Sequence, residues 1–142
     1  MNGKFKSKIR IISNRIYREL KPYIKNAVLQ NSQNGTPVMR PLFLQYDTDA
    51  EAFEQDYQYM FGDDLLVAPV LEPGVESWNV YLPGPDNWVW FWDQFESSDL
   101  IPGQQWISVY APIGFTPVFY RYESQFKDLF KNIALEFGSV DI

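Results

Sequence analysis

The stretch 58-QYMFGDDLLVAPV-70 places two adjacent carboxylates, Asp63 and Asp64, after a glycine and before an apolar run. Paired carboxyl groups can serve as general acid and as nucleophile or base when they face one another across a bond at about 5 to 9.5 Å, with pKa values pushed apart. Neighbours on a strand point to opposite faces, so these two converge on one substrate only if a turn or bulge intervenes. Adjacent acids more commonly cap, turn or stay solvated, and the spacing favours that reading. Cysteine and histidine are both absent. Their absence excludes disulfides, thiolate nucleophiles, the commonest zinc ligands and every Ser/His or Cys/His arrangement. Chemistry is left to carboxylates, tyrosines, lysines and arginines.

Three further constellations carry residue types that could do chemistry or bind. The acidic run 47-DTDAEAFEQD-56 offers oxygen ligands, but a calcium loop begun at Asp47 needs glycine where Ala52 stands and glutamate where Gln58 stands. A capped helix with a solvated acidic face is the better reading, and no metal ligand is assigned. Trp78, Trp88, Trp90, Trp92 and Trp106, with Tyr81 and Tyr110, could form a sugar-stacking platform. Trp88, Trp90 and Trp92 alternate onto one strand face, and Val89 and Phe91 onto the other, which favours a strand buried between layers. The basic residues Lys4, Lys6, Lys8, Arg10, Arg15, Arg18, Lys21 and Lys25 could neutralise phosphates. They lack aromatic or glycine-rich interleaving, and the acidic remainder would repel a polyanion, so no nucleic-acid partner is expected.

The elements that must position these residues follow from periodicity. Residues 1–40 hold nine Lys/Arg and one acid, whereas residues 41–142 hold three Lys/Arg and seventeen acids, out of 142 residues with formal charge −6. Such a split marks either a basic arm or a segment that packs against something else. No apolar stretch approaches the roughly 18 residues of a membrane span, and MNGKFKSKIR lacks the apolar centre of a secretory signal. The chain is therefore expected to be soluble, with no membrane partner, and cytoplasmic by default.

Ile9, Ile12, Ile16, Leu20, Tyr23, Ala27 and Val28 predict a helix over residues 9–31, with Pro22 forcing a kink or a restart near Lys21. The run 38-VMRPLFLQY-46 has strand length, and Pro41 places it at an edge or an early strand position. Thr48 and Glu51 have capping-box spacing, and Ala50, Phe53, Tyr57 and Met60 predict a helix that Gly62 ends. Short strands follow at 65–70, 78–82, 87–92, 105–110 and 117–121, separated by Gly/Pro turns. Phe126, Leu129, Phe130, Ile133, Ala134 and Phe137 predict a closing helix with Ser124 near its N-cap. The fold class is α/β plus all-β. The predicted division is a basic tail at 1–8, an α/β portion at 9–62, an antiparallel β domain at 63–122 and a C-terminal helix at 123–142.

Taken in order, 15-RIYRELKPYI-24, 35-GTPVMRPLFLQY-46, 56-DYQYMFGDDLLVAPV-70 and 80-VYLPGPDNWVWFW-92 resemble the C-terminal third of family 31 of the glycoside hydrolases, the α-glucosidase family. The likeness covers roughly residues 12–122. It implies that the helix with the internal Pro-Tyr is the seventh of a (β/α)8 barrel and that the Arg-Pro-Leu segment is the eighth strand. The segment from Gly62 would then lead out of the barrel into an antiparallel β-sandwich-like domain. The segments 86-DNWVWFW-92 and 111-APIGFTPVFYR-121 resemble the sulfoquinovosidase branch, which releases a sulfonated sugar from α-glycosides.

The resemblance also implies an absence. In that family the nucleophile and the acid/base are aspartates on earlier barrel strands, and a substrate-contacting histidine precedes the seventh helix. No residue of this chain aligns with any of them, so no catalytic, cofactor-binding or metal residue is carried over. Gln45, Tyr46 and Asp47 stand where barrel loops face the active site, and none is assigned as a substrate ligand. The expectation is a C-terminal fragment of a retaining α-glycosidase, inactive alone, needing no cofactor, whose partners are a carbohydrate substrate and the missing barrel portion. Ile12, Ile16, Val38 and Phe43 are then expected to be left exposed. The competing expectation is a non-catalytic module that binds a glycan or a partner protein through its aromatic β domain.

Overall fold

The computed structural model describes residues 14–92, 100–112 and 115–137. Ile9, Ile12, the basic residues up to Arg10, and the side chain of Phe137 lie outside the described residues. Residues 14–19 are helical (α1), Leu20 forms a turn, and Lys21–Asn34 forms α2 with Pro22 in its first turn. A proline is tolerated there because its missing N–H has no intrahelical partner to lose. Of the two outcomes expected at Pro22, the restart at Lys21 is the one found. α2 ends at Gly35, whose left-handed φ of +74° lets its N–H reach the Asn31 carbonyl at 2.9 Å. Tyr23 and Ala27 are buried and Ile16 and Leu20 pack on the core, but Val28 stays half exposed.

Eight strands follow: β1 (Met39–Pro41), β2 (Tyr59–Phe61), β3 (Leu65–Val67), β4 (Ser77–Leu82), β5 (Asn87–Trp90), β6 (Ile101–Pro102), β7 (Gln105–Tyr110) and β8 (Val118–Arg121). Six form an antiparallel sheet in the order β1-β2-β3-β8-β5-β6, and β4 pairs with β7 as a separate ribbon. The β2–β3 turn is residues 62–64, so the sheet runs continuously across that point. Register places Met60, Leu66, Phe119 and Trp90 on one sheet face. Phe61, Leu65, Tyr120 and Val89 occupy the other. Trp88 on the first face lies 5.9 Å from the Tyr46 ring and donates its N–H to the Pro83 carbonyl just after β4. The second face meets α2 and the closing helix α3 (Lys127–Phe137) through Tyr23, Tyr120 and Phe130. Trp88, Val89, Trp90, Phe91 and Trp92 are all buried, as the two-sided alternation requires. Among the described residues no helix is long and apolar enough to cross a membrane.

Two expected elements are corrected. Within 38–46 only Met39–Pro41 is extended, as an edge strand, because Leu42–Leu44 turns as a 3-10 helix with the Gln45 and Tyr46 N–H groups on the Leu42 carbonyl. The helix expected from Thr48 to Gly62 is a 3-10 helix at Ala50–Glu54 followed by strand β2. Asp49, not Thr48, caps it, accepting the Glu51 N–H at 3.1 Å. The physical reason is tertiary. Buried Asp49 is tied to the Tyr81 hydroxyl at 2.8 Å and to the Gly84 N–H at 2.9 Å. The Gln58 side-chain amide then pairs with both backbone groups of Tyr81, at 2.7 and 2.9 Å, and draws the following residues into the sheet. Phe53 and Tyr57, expected in a buried stripe, are exposed.

Of the residues expected to be exposed, Phe43 is, and it stacks on Phe53 with ring centroids 5.4 Å apart. Ile16 and Val38 are half buried. Met39, Leu44 and Leu29 are exposed instead.

Tyr23 joins the layers. Its hydroxyl donates to the Phe61 carbonyl and accepts the N–H groups of Asp64 at 3.0 Å and Leu65 at 3.2 Å. Its ring lies edge-on to Phe126 and Phe130 of the C-terminal segment, each at 5.2 Å. Tyr23→Phe keeps the ring but leaves two buried N–H donors and a carbonyl without that partner, so it should cost about 2–3 kcal/mol in urea unfolding. A loss under half a kcal/mol (~0.5) would show that the hydroxyl is not needed.

Candidate functional site

The turn holding Asp63 and Asp64 decides whether the pair can do chemistry. Gly62 starts it at φ +67°, and a Cβ there would lie 2.3 Å from the Tyr23 hydroxyl, so only glycine fits. The backbone then sends the two side chains to different partners. Asp63 Oδ1 accepts from Arg40 Nη1 at 2.9 Å and Oδ2 from Gln30 Nε2 at 2.7 Å. Asp64 Oδ1 pairs with Arg121 Nε at 3.1 Å, and Oδ2 accepts from the Ser124 hydroxyl at 2.7 Å. Three of the four carboxylate oxygens accept hydrogen bonds from separate side chains, and the fourth, Asp64 Oδ1, is ion-paired with Arg121. A substrate has no shared face of the pair to enter.

Around this clip lies a wider polar network. Arg121 Nη1 reaches Asp86 Oδ2 at 3.7 Å, and Asp86 also accepts from the Tyr46 hydroxyl at 2.8 Å. Gln45 donates to the Asp63 backbone carbonyl at 2.7 Å, and Arg40 Nε to the Pro37 carbonyl at 2.9 Å. Burial raises the Asp64 carboxyl pKa above its ordinary value of 3.8; the Ser124 bond and Arg121 work against that, while Asp63 and Asp86 add to it. Burial likewise raises the Tyr23 and Tyr46 hydroxyls, the latter reinforced by Asp86, so both are un-ionised donors throughout the physiological range. These groups hold three elements together by charge and hydrogen bonds. Among the described residues no cluster of carboxylates could hold a metal ion.

The other residues singled out by sequence scatter. Gln45 and Tyr46 belong to the network, and Asp47 is exposed. Trp88, Trp90 and Trp92 are core, whereas Trp106 is exposed and Trp78 half exposed. Arg15 pairs with Glu136 at the surface at 2.8 Å. Sequence reasoning missed Arg40, Asp86 and Arg121 as partners of the acid pair. The available signal was Arg121 itself, one of three cations after residue 40 and placed at the end of an apolar strand.

Similarity to known proteins gives the frame for this cluster. Residues 35–124 match the Glycosyl hydrolase family 31 C-terminal domain. The chain belongs to this family. It is 47% identical over 118 residues to the Sulfoquinovosidase of Escherichia coli (strain K12), covering 83% of this chain and 16% of that protein. It is 35% identical over 102 residues to the 1,3-alpha-isomaltosidase of Kribbella flavida, covering 72% of this chain and 13% of that protein. Among solved structures, a family 31 sulfoquinovosidase from E. rectale in complex with an aza-sugar inhibitor superposes with a TM-score of 0.80 at 43% identity, over 87% of this chain and 18% of that one. An antiparallel, sheet-rich domain with a closing C-terminal helix is thus the family's C-terminal architecture, and the relatives include sulfoquinovosidases and α-glucosidases.

In this family 31 chain the two acids should differ sharply on neutralisation. Asp63→Asn strands Arg40, whose side chain is only 4% exposed, and should cost about 3 kcal/mol of stability. Asp64→Asn keeps a partner for Ser124 and leaves Arg121 beside Asp86, so the loss at neutral pH should be about 1 kcal/mol or less. Because the folded pKa of Asp64 is raised, its contribution is full below 3.8 and declines as pH rises through the folded value. Urea midpoints across the acid range should show that decline in wild type minus Asp64→Asn; the opposite slope would contradict a raised pKa.

Proposed function

We propose that this chain is the C-terminal part of a retaining α-glycosidase related to the sulfoquinovosidases, with both catalytic aspartates in another part of the protein. The observation that carries the reading is the alignment itself: 83% of this chain corresponds to 16% of a curated relative. Two features support it. Asp63 and Asp64 are consumed by Arg40 and Arg121, which leaves no convergent carboxylate pair at the turn. Edge strand β1 and the neighbouring Phe43, Leu44 and Phe53 present an apolar surface that further barrel strands would cover.

In this reading residues 9–62 end a (β/α)8 barrel, residues 63–122 form the β domain beyond it, and residues 123–142 close that domain. Hydrolysis of the carbohydrate substrate proceeds in the whole protein through a glycosyl–aspartate intermediate that water resolves, with no metal or nucleotide. The part described here supports the barrel from its C-terminal side, with the Tyr23 and Asp63 contacts fixing the last barrel helix against the β domain.

The test compares purified residues 1–142 with a protein that also carries the remaining barrel. The short chain should release no aryl leaving group from an α-glycoside above a blank preparation. The longer protein should do so with retention of anomeric configuration, and should prefer a sulfonated glycoside. Turnover by residues 1–142 alone, or an inert longer protein, would overturn the assignment.

A further inference from the structure

Two adjoining depressions lie beside the β4–β7 ribbon. The first, about 210 Å³, is walled by residues 54–58 and by Trp78, Asn79 and Trp106. The second, about 360 Å³, is walled by Glu72, Val75 and Ser77 and shares Trp78 and Asn79 with the first. Trp106 is 51% exposed, unlike the tryptophans from 88 to 92. It sits opposite Tyr81 in the ribbon register, with ring centroids 5.4 Å apart. Tyr81 is itself held by Asp49 and Gln58, so the exposed indole rests on a fixed mount. The side chains of Glu54, Asp56, Glu72 and Asn79 have no hydrogen bond or ion pair among the described residues. By contrast, Asp49, Asp63, Asp64 and Asp86 are all engaged.

We propose that the two depressions form one groove that binds a neutral oligosaccharide. One sugar ring stacks its apolar face on Trp106, its hydroxyls donate to Glu54 and Asp56, and the Asn79 amide exchanges hydrogen bonds where the depressions meet. A second ring lies toward Glu72. Carboxylates take only donors, which hydroxyls supply, and three of them with no ion pair among the described residues repel a sulfonate, sulfate or phosphate. The groove therefore differs in ligand chemistry from any site for a sulfonated sugar. The combined space falls within the roughly 300–1,000 Å³ usual for ligand sites. A lone ammonium ion could use the acids and rings, but it would leave the Asn79 donor idle and fill one depression only.

The choice of a sugar rests on the glycosidase reading, but the test reads binding and not hydrolysis. Tryptophan emission of the full chain is titrated with maltotriose. The expected result is a saturable change in the millimolar range, weakened about tenfold by Trp106→Ala and measurably by Asn79→Ala, with methyl α-glucoside binding several-fold more weakly. Sulfated maltotriose should give no saturation. Near-UV circular dichroism confirms that each variant is folded; should Trp106→Ala fail to fold, Asn79→Ala decides. A flat titration, undiminished binding in the folded variants, or choline binding as tightly as maltotriose would sink the proposal. Saturable binding beside an inert longer enzyme would instead overturn only the glycosidase assignment.

Discussion

The Tyr23 hydroxyl is the point on which the rest of the structure hangs. It belongs to helix α2, yet its three hydrogen-bond partners lie in the β2–β3 turn, and its ring is gripped by two phenylalanines of the C-terminal segment. Three parts of the chain far apart in sequence meet on one side chain. The arrangement demands glycine at position 62, since the space a Cβ would need is already filled by the tyrosine oxygen. With the turn pinned in this way, Asp63 must face Arg40 and Asp64 must face Arg121 and Ser124. Local backbone geometry at one glycine thus sets the electrostatics of the junction.

Those electrostatics show how a carboxylate acquires a perturbed pKa from structural partners. Perturbed groups collect at active sites because catalysis needs them, but structural ion-pair networks perturb them too. The Asp64 pKa is raised chiefly by burial, while the Ser124 hydroxyl donates to one of its oxygens and Arg121 is ion-paired with the other, and the hydroxyl of Tyr46 extends the network to Asp86. A general acid needs an oxygen that faces the substrate. The network spends its oxygens on architecture, and its value lies in fixing the angle between the helical segment and the sheet. Breaking one partner is costlier than the pair is worth, because it leaves the other charge buried.

Much of this fold was legible in the sequence, and the failures have one cause. The alternation through 88-WVWFW-92 gave a strand buried on both faces, Pro22 gave a kink or a restart of which the restart is found, and the Gly/Pro turns separated strands close to their observed limits. The segment 48–60 misled because its local signals are those of a helix: capping-box spacing, then apolar residues three and four apart. What overrode them was the reach of Asp49 and Gln58 to Tyr81, more than twenty residues away, which no local pattern encodes. The clip was hidden for the same reason. Asp63 and Asp64 were conspicuous as a pair, but Arg40 and Arg121 stand 23 and 57 positions from them. Only the strand pairings bring these groups together.

The tryptophans divide along the same line between sheet and ribbon. β5 lies inside the six-stranded sheet, between β8 and β6, with core on both faces, so every indole it carries is used in packing. A two-stranded ribbon has one face to give to the core, and β4 and β7 give Val80, Leu82 and Val109. The remaining face should read as polar, and Asn79 and Ser108 obey that rule. Trp106 and Tyr110 break it. Tyr81, on the same face, is buried because Asp49 and Gln58 cover it, so its presence is a matter of packing. Trp106 has no such cover, and the carboxylates beside it make no ion pair among the described residues. An aromatic ring left exposed on this ribbon, beside acceptors with no partner among the described residues, is where the packing logic of this domain stops accounting for its sequence.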